Sequence, residues 1–323
     1  MTNAIEADGL VKTYGEVRAL DGLSVSVPEG VVFGLLGPNG AGKSTTVKIL
    51  TTLSRADDGQ ARVAGLDVLE RPDDVRRTIG VVAQKSGLDP EATGRENARL
   101  QGQIYGLSGR KLEERIDELL AQFGLADAGD RLVRGFSGGM QRRLDIALAL
   151  VHRPRVLFMD EPTTGLDPEV RADMWQEISR LAREEGLTVL LTTHYMEEAD
   201  VLASRLVILD RGRLVAEGTP EELKGELRGD AVHVELGEAQ VNGRVQEVLD
   251  RVPGIREATV EGRLLHARAD NGARAVPAVL QALEAGGIEV AAVTVALPSL
   301  EDVYLRYAGR TFSEADTEKE DNR

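Results

Sequence analysis

Residues Gly37 to Ser44 read Gly-Pro-Asn-Gly-Ala-Gly-Lys-Ser, and this stretch decides the fold. The apolar run Val31–Leu36 comes directly before it and has the length of a buried strand. The segment Thr45–Leu50 comes directly after it and is predicted to form the first turns of a helix. A buried strand, a glycine-rich loop and a helix in this order predict an α/β domain whose loop lies at the carboxyl end of the strand.

The loop has the chemistry that holds phosphate groups. Gly37, Gly40 and Gly42 let the backbone turn sharply and bring N–H groups close to phosphate oxygens, and the helix N-terminus adds partial positive charge. Lys43 can reach the β- and γ-phosphates of ATP, and Ser44 can ligate Mg²⁺. The alternative is a glycine-rich turn with a chance lysine, and eight matched residues in the right context disfavour it. The predicted ATP-binding residues here are Gly37, Pro38, Asn39, Gly40, Ala41, Gly42, Lys43, Ser44, Thr45 and Thr46.

Composition narrows the possible functions. The 323 residues are 42% hydrophobic but only 3% aromatic, which predicts one large and one smaller domain with cores of Val, Leu, Ile and Ala. The net charge of −15 argues against a nucleic-acid partner and against a polybasic face that docks to anionic lipid. The absence of cysteine excludes disulfides and thiolate sites and suits a reducing cytosol. Neither a signal peptide nor an apolar run of about 20 residues is present, so a role at a membrane would need spans from another chain.

The pattern of apolar runs predicts how the large domain, residues 1–228, is organised. Short strands are expected from Ile5 to about Val27, and a helical subdomain is expected at about 86–151. Near-continuous apolar strands that alternate with helices predict a mostly parallel sheet covered on both faces. These strand candidates are Ile79–Ala83, Val156–Met159, Thr188–Leu191 and Leu206–Leu209.

Beyond a break near Gly225–Asp230, the pattern becomes β-α-β-β-α-β and predicts a small α+β ferredoxin-like domain at 229–310. The predicted elements are Ala231–Leu236, Val241–Val252, Ile255–Val260, Leu264–Ala269, Ala273–Ala285 and Ile288–Val295, followed by a short helix from Pro298 to Ala308. His233 and His266 fall on these strands and are expected to be packed or exposed, with no cluster of metal ligands in this domain. The acidic tail, 311–323, is predicted to be disordered.

Three strand ends carry further candidate groups. Asp160 closes an apolar strand and can hold Mg²⁺ through its water shell, while Glu161 is placed to orient or deprotonate an attacking water. The alternative for this pair is a solvated acidic turn. Gln84 could ligate Mg²⁺ or hold the water, although a lone Gln at a strand end is usually a surface residue. His194 could bond the γ-phosphate, and a partly exposed loop histidine is the alternative.

Ser137-Gly138-Gly139 precedes a predicted helix and forms a second candidate anion site. An ordinary N-cap is the alternative and the commoner meaning of Ser at such a position. Arg142 and Arg143 are expected to cover the polar face of this helix.

In combination, these motifs resemble those of an ABC-type ATPase subunit over roughly Ile5 to Leu223. Six motifs occur in the family's order: Tyr14 at the adenine-stacking position, GPNGAGKS at 37–44, Gln84, FSGGMQ at 136–141, VLFMDEP at 156–162 with GLD at 165–167, and His194. The resemblance implies a P-loop NTPase fold with an N-terminal antiparallel β subdomain. The FSGGM segment departs from the common LSGGQ at Phe136 and Met140, which puts its packing against a partner in question but not its phosphate binding.

The resemblance also implies residue roles. Catalysis is assigned to Lys43, Glu161 and His194, and metal binding to Ser44, Gln84 and Asp160. Further nucleotide contacts are assigned to Tyr14, Ser137, Gly138, Gly139 and Asp167. The cofactors implied are ATP and Mg²⁺.

The segment Pro298–Leu305, together with FSGGM and TTGLDP at 163–168, is similar to daunorubicin-resistance-type drug-export ATPases. This resemblance implies the motor of an ABC-2-type exporter of a drug, antibiotic or lipid, located at the cytoplasmic face of the membrane through a separate six-helix permease. Two copies should close head to tail, with Ser137-Gly138-Gly139 of one chain on the nucleotide of the other. The segment between Gln84 and Phe136 should dock the permease.

Two other functions compete with this interpretation. A non-transport ABC ATPase acting on ribosomes or DNA is disfavoured by the acidic charge, and because such proteins usually carry two ATPase units or a long coiled coil. An importer motor is disfavoured by the C-terminal ending. The C-terminal domain is expected to contact its counterpart in the second subunit through Leu300, Val303, Tyr304 and Leu305.

Overall fold

The computed structural model describes residues 2–227, 229–238, 244–249, 252–270, 272–312 and 314–315. These residues form two compact units, one before Pro220 and one from Pro220 onward. The division lies ahead of the boundary predicted at 228, because the short helix that begins at Pro220 packs with the last helix of the chain.

The strands within the described residues are β1 (Asn3–Tyr14), β2 (Val17–Pro28), β3 (Val32–Leu36), β4 (Asp58–Val63), β5 (Leu66–Asp67), β6 (Ile79–Val82), β7 (Val156–Asp160), β8 (Thr188–Thr193), β9 (Arg205–Asp210), β10 (Arg213–Gly218), β11 (Asp230–Leu236), β12 (Ile255–Glu261), β13 (Leu264–Ala269) and β14 (Val290–Ala296).

The α-helices are α1 (Lys43–Leu50), α2 (Pro72–Thr78), α3 (Gly94–Ile104), α4 (Gly109–Gln122), α5 (Gly138–Ala149), α6 (Pro168–Glu185), α7 (Met196–Leu202), α8 (Pro220–Gly225), α9 (Arg244–Leu249), α10 (Gly272–Ala285) and α11 (Leu300–Ala308). Within the described ranges, none of these helices combines the length and the apolar character that a bilayer span requires.

A six-stranded sheet in the order β10-β9-β3-β8-β7-β6 forms the centre of the first unit. Its strands run parallel from β9 to β6, and β10 joins the edge antiparallel to β9. In β7, Val156 and Phe158 face one core cluster and Leu157 and Met159 face the other, which explains the continuous apolar run. The predicted parallel sheet with two covered faces is confirmed. Strand β10 was not predicted, because it is a partly buried edge strand and has no continuous apolar run.

A second, antiparallel sheet has the order β2-β1-β4-β5 and is the predicted N-terminal β subdomain. Its strands β1 and β2 are longer than the short strands expected there. Polar residues interrupt the apolar alternation, but the strands continue through shifts in register such as the one between Ala7 and Leu10.

Helices α3, α4 and α5 form the helical layer of the first unit. The four apolar residues that predicted a helical stripe in α4, Leu112, Ile116, Leu119 and Leu120, are all buried in one core cluster with residues of α5. A capping box between Thr93 and Glu96 fixes the start of α3.

The side chain of Arg142 in α5 lies inside the protein, contrary to the expectation that it covers a polar helix face. It is 7% exposed and donates to Pro162 O and Ala83 O, each at 2.6 Å. Burial lowers the pKa of this guanidinium, and its five donors still match several carbonyl groups at once. Arg142 therefore ties the helical layer to the segments that follow β6 and β7. Arg143 is the half-exposed neighbour and pairs with Asp173 at 3.0 Å.

The second unit has the predicted order of elements, β11, α9, β12, β13, α10 and β14, and its sheet has the order β12-β13-β11-β14 with every neighbouring pair antiparallel. Val232 and Val234 of β11 pack with Leu249 of α9 and Leu283 of α10 in one core. This arrangement confirms the ferredoxin-like α+β fold. The helix predicted for 241–252 is observed from Arg244 to Leu249, and Val252 lies in a bend. Residues 241–243, 250 and 251 lie outside the described residues.

Helix α11 does not offer the contact surface that was expected of it. Leu300, Val303 and Tyr304 are 2%, 0% and 0% exposed in the chain, so they offer no surface to a second subunit. Leu305, the fourth residue of that prediction, is half-buried. The start of the predicted disordered tail is also packed: Phe312 is buried and its ring meets that of Tyr304 edge-on at a centroid distance of 5.0 Å. Residue 313 and residues 316–323 of that tail lie outside the described residues.

Replacing Arg142 with Lys is expected to lower the free energy of unfolding by about 1–3 kcal/mol, because one ammonium group cannot satisfy the buried carbonyls that the guanidinium bridges. Chemical denaturation measures this change. The matched control is Arg143→Lys, which alters an exposed ion pair and is expected to change the free energy by less than about 0.5 kcal/mol. Equal effects of the two substitutions would contradict the bridging role of Arg142.

Candidate nucleotide site

The glycine-rich loop between β3 and α1 is tightly enclosed by backbone. A Cβ atom on Gly37 would lie 2.5 Å from Leu209 O, and one on Gly42 would lie 2.7 Å from Leu20 Cδ2 and 2.8 Å from Ala19 O. Gly42 also has a φ of 113°, which L side chains rarely adopt. The loop must therefore be built from glycine at these positions, as the phosphate-loop interpretation requires.

Lys43 begins α1 and turns its side chain back over the loop. Its Nζ donates to Gly37 O at 2.6 Å and to Pro38 O at 3.2 Å, and it lies 3.6 Å from Glu161 Oε1. The side chain is only 4% exposed. A buried cation at the N-terminus of a helix, beside several backbone N–H groups, suits the binding of a polyphosphate.

The predicted metal ligands Ser44 and Asp160 are in direct contact. Ser44 Oγ donates to Asp160 Oδ1 at 3.1 Å, and Thr192 Oγ1 donates to the same oxygen at 2.6 Å. Hydroxyl and carboxylate oxygens are the ligands that Mg²⁺ prefers, so these residues fit that ion. Thr192 was not among the site residues predicted from the sequence. The signal was its place at the end of β8, where the parallel register pairs it with Asp160.

Glu161 lies at the centre of the remaining candidates. Its Oε1 lies 3.4 Å from His194 Nδ1 as well as 3.6 Å from Lys43 Nζ, and its Oε2 accepts from Gln84 Nε2 at 2.9 Å. Glu161 also has a φ of 49°, a left-handed conformation that costs free energy in a non-glycine residue. Gln84 therefore lies beside Glu161, and its assigned role as a metal ligand stays a prediction.

The neighbours of Glu161 keep its carboxylate charged. The His194 imidazole, and after it the Lys43 ammonium, hold the pKa of Glu161 below the ordinary value of 4.5 despite its burial. A lowered carboxyl pKa stabilises the fold above the ordinary value, and this contribution is lost only as the pH falls through the lowered value. At neutral pH the group is therefore an ionised base held 3.6 Å from a cation.

Tyr14 ends β1 and is 47% exposed, as a residue that stacks on a base needs to be. Its ring lies 5.4 Å from Lys12 Nζ, and its hydroxyl lies 3.3 Å from Ser54 Oγ. The N-terminal hairpin reaches the phosphate loop through Ala19 and Leu20 of β2, which lie against Gly42.

Two assigned nucleotide residues, Ser137 and Asp167, cap helices. Ser137 precedes α5 and accepts from Met140 N at 3.3 Å, while Asp167 precedes α6 and accepts from Val170 N at 3.0 Å. Ser137 and Gly138 are exposed, whereas a Cβ atom on Gly139 would lie 2.6 Å from Val170 Cγ1. The structure thus confirms that Ser137 is the N-cap of α5. Because Ser137 and Gly138 are exposed, binding of a phosphate at this helix end stays a prediction.

The other assigned loop residues differ in orientation. Thr46 is fully buried and its hydroxyl donates to Gly42 O at 3.0 Å, within its own helix. Ala41 is buried and its N–H donates to Pro38 O at 3.1 Å, whereas Asn39 and Gly40 are exposed at the loop tip and Thr45 is half-buried.

Two protein-family models match the chain. Residues 20–164 match the family described as ABC transporter, and residues 218–308 match the C-terminal domain of DrrA1-3-like ATP-binding proteins. The two matches fall in the first and the second structural unit respectively, apart from two residues at the start of the second match.

Named relatives match nearly the whole chain. Daunorubicin resistance ATP-binding protein DrrA2 of Streptomyces coeruleorubidus is 47% identical over 95% of each chain. Daunorubicin/doxorubicin resistance ATP-binding protein DrrA of Streptomyces peucetius is 44% identical over 98% of this chain and 96% of its own.

A solved structure supports the same assignment. The solved structure of the ATP-binding cassette MJ0796, a dimeric post-hydrolysis state bound to ADP and phosphate, aligns with 67% of this chain and 98% of its own. The sequence identity is 28% and the TM-score is 0.61. The family match and the two relatives confirm an ABC transporter ATPase and disfavour the alternative of an ATPase acting on ribosomes or DNA. The chain belongs to the nucleotide-binding, ATP-hydrolysing subunits of ABC transporters, in their daunorubicin-resistance type.

Proposed function

We propose that this ATPase drives efflux of a drug, antibiotic or lipid through a separate ABC-2-type permease at the cytoplasmic face of the membrane. The observation that carries the proposal is the cluster at the carboxyl edge of the parallel sheet, where Lys43, Glu161 and His194 meet beside the Ser44–Asp160 pair. The names of both relatives, which refer to drug resistance, support a cargo of this class.

Each residue of the cluster has a proposed task. Lys43 holds the β- and γ-phosphates. When ATP binds, its ammonium group exchanges the carbonyl oxygens of Gly37 and Pro38 for phosphate oxygens. Glu161 accepts a proton from the attacking water, which Gln84 helps to position, and His194 bonds the γ-phosphate. Ser44 and Asp160 would hold Mg²⁺, which neutralises charge on the phosphates when bound.

We propose that two copies close head to tail over two ATP molecules. Ser137 and Gly138 are exposed at the start of α5, and the hydrogen bond of Ser137 lies within its own helix cap. An exposed helix N-terminus is suited to accept the γ-phosphate of a nucleotide held by another chain. Tyr14 and Asp167, both exposed, would complete the site at the adenine and at the closing interface.

The two domains of the chain are proposed to have different tasks. Residues 1–228 contain every residue assigned to ATP chemistry, so the domain at 229–310 is proposed to serve assembly or coupling to the permease. The segment between Gln84 and Phe136 is proposed to receive the permease.

Replacing Glu161 with Gln is expected to lower the ATPase rate by about 10²- to 10⁴-fold while ATP binding persists, because an amide cannot accept the proton of the water. Phosphate release and ATP calorimetry measure the two effects. Glu169→Gln, on the exposed first turn of α6, is the matched control and should hydrolyse ATP at the parental rate. A Glu161→Gln protein with undiminished turnover would remove Glu161 from catalysis.

The head-to-tail arrangement can be tested by cross-linking, because the chain contains no cysteine. Chains that carry Asn39→Cys are mixed with chains that carry Ser137→Cys, both in the Glu161→Gln background. With ATP, a bifunctional thiol reagent is expected to join the two kinds of chain, since each nucleotide would lie between these positions.

Each single-cysteine protein alone should give no such product, and ADP should give much less than ATP. A cross-linked product that forms equally without nucleotide would contradict the arrangement. So would an intramolecular cross-link between the two cysteines of a chain that carries both Asn39→Cys and Ser137→Cys.

A further inference from the structure

The second unit brings together three metal-ligating side chains, which contradicts the prediction that this domain holds no cluster of metal ligands. His233 on β11 and His266 on β13 are directly paired across the antiparallel strands, and their Nδ1 atoms lie 3.0 Å apart. One ligand atom of each histidine and one carboxylate oxygen of Asp302, on α11, all lie within 4.8 Å of one another. The geometry points to a binding site for a divalent transition-metal ion such as Zn²⁺.

The pleat of the sheet explains why the histidines share a face. Val232 and Val234 on either side of His233 are buried in the core beneath α9 and α10, so His233 points to the opposite face of the sheet. His266 has the same orientation because it lies directly across from His233. Helix α11 supplies Asp302 to this face, and all three ligand candidates are half-buried, so a metal there would be partly shielded from water.

The distances suit metal ligation after a small adjustment. Metal–nitrogen bonds of about 2.0–2.1 Å at tetrahedral angles place two nitrogen ligands about 3.3 Å apart. The two Nδ1 atoms are 3.0 Å apart in a hydrogen bond, which is close to that value. The whole set lies within 4.8 Å, so an ion would replace this hydrogen bond and draw the three side chains closer together. Two imidazoles and one carboxylate favour Zn²⁺ and its neighbours over Mg²⁺ or Ca²⁺, which prefer oxygen ligands.

The position of Asp302 is fixed independently of any metal. Its Oδ2 accepts from Ser299 N at 2.8 Å and from Ser299 Oγ at 2.7 Å in the capping box that begins α11. A carboxylate has further acceptor sites beyond these two bonds. The cap therefore orients Asp302 toward the histidine pair, and a bound metal would link α11 to strands β11 and β13.

A cavity of about 280 Å³ opens beside the cluster and gives a route for the ion. It is lined by Thr259, His266, Arg268, Asp302, Leu305 and Arg306. Three protein ligands leave one position of a tetrahedral ion open. The two arginines reduce the affinity for a bare cation, but they would stabilise an anion or hydroxide that completes the coordination from the cavity.

The test titrates Zn²⁺ into the nucleotide-free, full-length protein, after treatment with a chelator, and follows binding by calorimetry. One Zn²⁺ per chain is expected at this site. His266→Gln should weaken that binding at least about tenfold, since it removes a ligand. Asp302→Asn should do the same while retaining the cap, because an amide oxygen still accepts from Ser299. Circular dichroism of both variants confirms that the fold is intact.

Two matched variants serve as controls. His152→Gln removes a histidine of the first unit, and Asp160→Asn removes the carboxylate predicted to hold Mg²⁺; both should retain the Zn²⁺ binding. A protein that binds no Zn²⁺, or binding that survives both His266→Gln and Asp302→Asn, would overturn the proposal. Neither result depends on whether the first unit hydrolyses ATP.

Discussion

The proposed nucleotide site is organised around one buried cation, Lys43. Lys43 Nζ contacts the carbonyls of Gly37 and Pro38 in its own loop and lies 3.6 Å from Glu161, which follows a different strand. Removing an ammonium and a carboxylate from water costs about as much as their attraction returns, so this pair is weak evidence for stability. Its value lies in preorganisation, because the charges are already held where phosphate and water would react. The loop glycines and Glu161 adopt the backbone conformations in which these two charges lie close together.

The parallel sheet explains why residues so distant in the chain meet. Leu36 pairs with Thr193, Asp160 with Thr192, and Val82 with Met159, so β3, β8, β7 and β6 all end at the same edge. Their next residues belong to the phosphate loop, to His194, to Glu161 and to the segment of Gln84. Ligands bind at this carboxyl edge in open α/β sheets. Arg142 then fixes two of these strand ends from the helical layer by bonding Ala83 O and Pro162 O.

The sequence alone predicted those structural features that depend on a single local pattern of residues. The phosphate loop, the apolar strands and the β-α-β-β-α-β order could be predicted because each depends on neighbouring residues. Contacts between distant elements were not accessible in this way. Arg142 and Thr192 have no distinctive local context, the burial of Tyr304 depends on how α11 packs, and His233, His266 and Asp302 become a cluster only through strand pairing and the approach of α11. The edge strand β10 was missed because it is only partly buried.

The central claim is that Lys43 is the cation that binds the nucleotide, and ATP calorimetry on Lys43→Ala tests it most directly. Lys48→Ala is the matched control, since Lys48 lies on the same helix with an exposed side chain. The account predicts that Lys43→Ala lowers ATP affinity at least about 100-fold, as the loss of a preorganised charge does, and that Lys48→Ala leaves it unchanged. An ATP dissociation constant for Lys43→Ala equal to that of the parent protein would contradict the assignment of this loop as the nucleotide site.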